Sequence, residues 1–120
     1  MTEIHLFDRD PSPLVFSEGA IIFSAGDPAT DMFAVIEGEV DLTFGDETVE
    51  TAGPGSIFGE VALVDQGPRS GSAVARTAVK VVRVDRDRFV RTVQQHPTFA
   101  LRVMEVMAGR LRRKTADDGD

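Results

Sequence analysis

The run Phe58-Gly59-Glu60-Val61-Ala62-Leu63, continued through Val64-Asp65-Gln66-Gly67 to Pro68-Arg69-Ser70-Gly71, decides how this chain is to be folded. A glycine that opens a short apolar turn leaves backbone N–H groups without intrahelical acceptors, and such groups form a concavity for an anion. Gly59, Glu60, Val61 and Ala62 supply that concavity. Arg69 returns after the loop with a full charge and a planar fork that matches two phosphate oxygens, in charge-assisted bonds of about 1.5–3 kcal/mol each. Ser70 adds a hydroxyl donor beside it. Glu60 would repel a phosphate that it faced, so its expected task is different: to accept from a sugar hydroxyl while orienting the Arg69 guanidinium. A plainer alternative stays open, in which Arg69 pairs with Glu60 and the turn is only scaffold.

Outward from this run, glycine and proline punctuate short β-rich segments at residues 20–24, 32–36, 40–44, 47–51, 72–75 and 79–84. That rhythm predicts a mainly β fold, a sandwich or jelly-roll-like antiparallel barrel. Alternation is clearest where Val40, Leu42 and Phe44 point one way and Asp41 and Thr43 the other. Gly38 and Gly45-Asp46 are predicted hairpin turns, because glycine tolerates positive φ. Gly53-Pro54-Gly55 then breaks the strand pattern and delivers the following run to the barrel interior.

After Val84 the period changes to that of helices flanking the barrel at its C-terminal end. Asp85 is a predicted N-cap for a helix carrying Phe89, Val90 and Val93, which ends before His96-Pro97 because the residue preceding proline avoids the helical region. Pro97 opens a second helix, in which Ala100, Met104, Met107 and Leu111 share one face flanked by Phe99, Val103 and Val106. That face is expected to pack in the core or on a partner. Residues 1–114 are expected to form one domain, and 115–120 a disordered acidic tail.

Phe58 to Leu63 with Pro68-Arg69-Ser70 resembles the phosphate-binding cassette of the cyclic nucleotide-binding domain, the family of the catabolite activators, the cyclic-nucleotide-dependent kinases and the cyclic-nucleotide-gated channels. The upstream stretches Phe16-Ser17-Glu18-Gly19-Ala20-Ile21-Ile22-Phe23-Ser24-Ala25-Gly26-Asp27 and Met32-Phe33-Ala34-Val35-Ile36-Glu37-Gly38-Glu39-Val40 resemble the family's first strands and their glycines. The resemblance implies a cyclic nucleotide ligand held by Phe58, Gly59, Glu60, Val61, Ala62, Arg69, Ser70 and Gly71. Ser70 is similar to the serine of bacterial cyclic AMP regulators, which favours cyclic AMP over cyclic GMP. Gly71 stands where the family usually has alanine, and is expected to loosen the backbone beside the phosphate. Residues 96–113 most resemble the family's penultimate helical segment, so the lid helix over the base is expected to be missing, and the segment before Phe16 is short for the family's leading helix.

The remaining signals narrow the function classes. A net charge of −7 disfavours nucleic acid, which is attracted by clustered cations. The one basic cluster, Arg110, Arg112, Arg113 and Lys114, lies near the end of the second helix, where cations offset the helix dipole. The chain ends at Asp120 with no helix-turn-helix motif. There is no cysteine, and His5 and His96 are the only histidines, which argues against a metal centre; no Gly-x-Ser-x-Gly elbow is present, so no enzyme is expected. No apolar run approaches the roughly 20 residues that cross a bilayer, and the amino terminus lacks a secretion signal, so a cytoplasmic protein without membrane partners is expected. A stand-alone sensor acting through an unknown protein effector fits these constraints. The competing expectation is an interaction module that keeps the fold, binds no cyclic nucleotide, and pairs through its C-terminal helix with a partner or a second copy.

Overall fold

The computed structural model describes residues 2–118, with side chains to residue 113. In chain order it comprises β1 (Leu14–Phe16), β2 (Ile21–Phe23), β3 (Met32–Glu37), β4 (Val40–Phe44), β5 (Glu47–Ala52), β6 (Ile57–Phe58), a 3-10 helix (Glu60–Leu63), β7 (Ser72–Ala75), β8 (Val79–Val84), α1 (Arg86–Gln95) and α2 (Thr98–Asp118). Two antiparallel four-stranded sheets face each other, one ordered β1-β8-β3-β6 and the other β2-β7-β4-β5. The expected mainly β, jelly-roll-like architecture with C-terminal helices is the one observed.

Strand pleat divides the apolar residues between two cores. Phe33 and Val35 of β3, with Val79 and Val81 of β8 and Phe58 of β6, fill the space between the sheets. Met32 and Ala34, with Val82, Val84 and Ile57, point to the opposite face and meet α1 and α2. Strand β3 is therefore buried on both faces, and its run of apolar residues lacks the alternation of a half-exposed strand.

Gly38 differs from its expected role. With φ of 82° it joins β3 to β4, which lie in different sheets, so it turns a corner and closes no hairpin. A Cβ there would sit 2.2 Å from the carbonyl oxygen of Ala78. Gly45, by contrast, closes the β4–β5 hairpin with φ of 63°. Strands β1 and β6 escape sequence recognition because three and two residues are too few to show a period.

Asp85 caps α1 as expected, its carboxylate accepting from the N–H of Arg88 at 2.8 Å. In α2 the buried positions are Phe99 and Val103, followed by the half-buried Val106, Met107 and Arg110. Of the face expected to meet the core or a partner, Met104 and Leu111 are exposed by 59% and 65%, and the core is met by the flanking residues instead. The shift follows from Phe99, which wedges between Phe7 and Phe89 with ring centroids 5.7 and 5.3 Å away. Ile4 and Phe7 are buried in this helical core, so the short leading segment is pinned against α2 without being helical. Helix α2 takes in residues 115–118, within the expected tail; 119 and 120 lie outside the described residues. Among the described residues no helix is long and apolar enough to cross a membrane.

Candidate functional site

Strand β6 ends at Phe58, and the chain must then reverse out of the sheet. Gly59 does so with φ of 74°, and the 3-10 helix begins at once. This places Gly59, Glu60, Val61 and Ala62 along one wall of an open cavity of ≈ 540 Å³, a size typical of small-molecule sites. Arg69, Ser70 and Gly71 form the adjoining wall, so seven of the eight residues expected from the sequence meet at one cavity. Phe58 does not. Its ring is fully buried, stacked on Phe33 at 5.3 Å, because the pleat that turns Ile57 toward the helices turns Phe58 between the sheets.

Arg69 is placed by its backbone, which exchanges two 2.8 Å hydrogen bonds with the β2–β3 loop: its N–H donates to the Asp27 carbonyl, and its carbonyl accepts from Gly26 N–H. Its side chain lies over the Phe23 ring at 4.0 Å and donates through Nη1 to the Gly59 carbonyl (3.1 Å) and through Nη2 to the Asp31 carbonyl (2.7 Å). The Nε–H is buried and has no acceptor among the described residues. Among the described residues no carboxylate forms an ion pair with this guanidinium. Burial lowers its pKa from the ordinary arginine value, against the opposing charges of Asp31, Glu60 and Asp27. Arg69 thus holds a half-buried positive charge whose Nε–H is left without an acceptor among the described residues. A Cβ on Gly59 would stand 2.7 Å from Nη1, so the glycine serves both the turn and the arginine.

The expected pairing of Glu60 with Arg69 does not form. Glu60 is 4% exposed, and its Oε1 accepts instead from Nη1 of Arg110 at 2.6 Å. Arg110 comes from α2 and is the central site residue that sequence reading missed. Its Nε and Nη2 grip the two oxygens of Glu50 on β5, each at 3.0 Å, and Nη2 also donates to the Ile57 carbonyl at 2.7 Å. Burial opposes the charge on Arg110, but the hydrogen bonds it donates to Glu50 and the charge of Glu60 raise its pKa on balance. Glu50 is held below the ordinary glutamate range: burial pushes it up, and the Arg110 fork outweighs burial. A sequence signal for Arg110 does exist, since it continues the spacing Phe99, Val103, Met107 around the buried face of the helix.

The same helix corrects the expectation of a missing lid. Met107, Ala108, Arg110 and Leu111 of α2 line the cavity, facing Leu42, Phe44 and Val49 of the β4–β5 hairpin. One end of the cavity is therefore charged and the other apolar. Gly71 is also tighter than expected: a Cβ would lie 2.3 Å from the carbonyl oxygen of Thr43, because β7 and β4 pair there. Among the described residues no group of three or more histidine, aspartate or glutamate side chains is arranged to hold a metal ion.

A family model of the cyclic nucleotide-binding domain matches residues 13–96. The CRP-like cAMP-activated global transcriptional regulator of Mycobacterium tuberculosis is 34% identical over 106 residues, which span 84% of this chain and 47% of the relative. The cAMP-dependent protein kinase regulatory subunit of Colletotrichum orbiculare is 38% identical over 78 residues, 63% of this chain and 20% of the relative. Among solved structures, the catabolite activator protein of Thermus thermophilus superposes with a TM-score of 0.79 at 30% identity, covering 88% of this chain and 52% of that one. The chain thus spans about half the length, or less, of these relatives.

Proposed function

This chain belongs to the cyclic nucleotide-binding domain family, and from that premise we propose that its cavity binds a cyclic nucleotide, cyclic AMP in preference to cyclic GMP, and that the protein is a regulatory sensor acting through a separate protein effector. The observation that carries this reading is Arg69, a half-buried cation that among the described residues has no ion-pair partner and whose buried Nε–H beside the cavity is unpartnered. Such a group is costly unless an anion completes it. A cyclic phosphate seated between Arg69 and the N–H groups that open the 3-10 helix supplies that anion. Glu60, with one carboxylate oxygen engaged by Arg110, keeps the other for a ribose hydroxyl. The apolar end, where Leu42, Phe44 and Val49 face Met107 and Leu111, suits a planar base.

The protein works without catalysis in this reading, in the cytoplasm and with no membrane or nucleic-acid partner. What the ligand changes is the seating of α2, since this helix carries both the apolar wall and Arg110. A second copy of the chain is the favoured partner for the rest of that helix. Leu101 and Met104 are exposed on it outside the cavity lining and offer such a copy an apolar contact.

Isothermal titration with cyclic AMP and cyclic GMP tests the proposal, with Arg69→Ala as control. Saturable binding, tighter for cyclic AMP and weakened by about 2–5 kcal/mol in the variant, is expected. A wild-type protein silent toward both nucleotides would leave the interaction-module alternative.

A further inference from the structure

Glu50 lies outside the cassette and the upstream stretches on which the sequence resemblance rests, yet its carboxylate is the hub of a polar cluster beside the cavity. It receives the two-pronged fork of Arg110 at 3.0 and 3.0 Å and a further bond from Nη2 of Arg113 at 2.8 Å. With the Ile57 carbonyl taking Nη2 as well, the Arg110 guanidinium has its plane set on two sides and presents Nη1 to Glu60 at a single oxygen. Among the described residues Oε2 of Glu60 accepts no bond, and it is not sealed from solvent, whereas the rest of the Glu60 residue is buried.

We propose that Glu50 is a positioning residue for sugar recognition: by holding both prongs of Arg110, it restricts that arginine to one oxygen of Glu60 and leaves the other free for the ligand's 2′-hydroxyl. The proposal rests on the cyclic-nucleotide reading of the same cavity. The physical reason is competition between two carboxylates for one guanidinium. An arginine facing a single carboxylate favours the bidentate pairing that uses both oxygens. Glu50 occupies that pairing. In Glu50→Gln the neutral amide offers one acceptor oxygen in place of two and no charge, so the Arg110 fork turns to Glu60 and covers the oxygen that a ribose would use.

The test compares cyclic AMP with 2′-deoxy cyclic AMP by titration calorimetry, in the wild type, Glu50→Gln and Arg113→Ala. A hydrogen bond to a charged group sets the wild-type preference for the ribose form at about 10-fold to 100-fold. Glu50→Gln is expected to reduce that preference to about 3-fold or less, mainly by weakening cyclic AMP. Arg113→Ala removes a contact between α2 and β5 but leaves the Arg110 fork in place, so its preference stays at the wild-type value. A thermal melt establishes that each variant is folded.

If Glu50→Gln weakens both nucleotides equally, or if Arg113→Ala erases the preference as well, Glu50 merely anchors the helix and the proposal is overturned. Failure of the wild type to bind cyclic AMP or cyclic GMP at all overturns the functional reading and this inference with it. That outcome is distinct from a wild type that binds with a preference untouched by Glu50→Gln, which removes the inference alone.

Discussion

Arg69 is legible in the sequence because the glycine turn and the short loop that return it lie beside it along the chain, although the backbone pairing with the β2–β3 loop that fixes it is a long-range contact. Its aromatic support is less so, since Phe23 reaches it from another strand and Phe58, expected at the ligand, instead buttresses Phe23 and Phe33 from between the sheets. Gly71 is the position where residue-scale reasoning is most exposed to test. An alanine there, the usual residue of the resembled family, brings Cβ to 2.3 Å from a backbone oxygen of β4, and neither partner is a flexible side-chain end. Gly71→Ala is therefore expected to cost about 1–3 kcal/mol, as overpacking does. Urea denaturation reads it as a lower midpoint with an unchanged slope. A midpoint equal to wild type would mean that the β4–β7 pairing gives way freely.

At the scale of elements, α2 is where sequence and structure part. Its existence and its start were readable from Pro97 and the helical period, but its orientation was not. The period leaves the face of Met104, Met107 and Leu111 open to core or partner packing, because a helix of this composition has apolar residues on more than one side. The contact with Phe7 and Phe89 settles the rotation. Phe99→Ala should cost about 3–5 kcal/mol, the usual loss for a fully buried aromatic. Met104→Ala, at 59% exposure, should stay within about 0.5 kcal/mol. Comparable losses at the two positions in chemical denaturation would contradict the observed rotation. The same rotation carries Arg110 inward from a basic cluster whose expected role was to offset the helix dipole.

For the whole molecule, two carboxylates tie peripheral segments to the body of the fold. Asp10 is lowered by the Arg88 hydrogen bond, which tethers the leading segment to α1, and Glu50 is lowered on balance by Arg110, which tethers α2 to β5. A carboxyl whose folded pKa lies below its unfolded value stabilises fully above the unfolded value, about 4 for these groups, and loses that contribution as pH falls through the folded one. Urea midpoints should accordingly hold steady from neutral pH to about pH 5 and fall below pH 4. The combined Asp10→Asn and Glu50→Gln variant should start lower at neutral pH and show a shallower fall. Parallel curves for the two proteins would place acid sensitivity elsewhere. By itself the sequence determined the features that depend on neighbours along the chain: six of the strands, the Asp85 cap, the Gly59 turn and the return of Arg69, because backbone sterics and short-range periodicity decide them. Only the tertiary structure decided that Glu60 meets Arg110 and not Arg69, that Glu50 belongs beside the site, and that α2 walls the cavity. Those contacts join residues 50 and 60 positions apart, and their partners are chosen by how the helical core packs against the sheet, which no local pattern encodes.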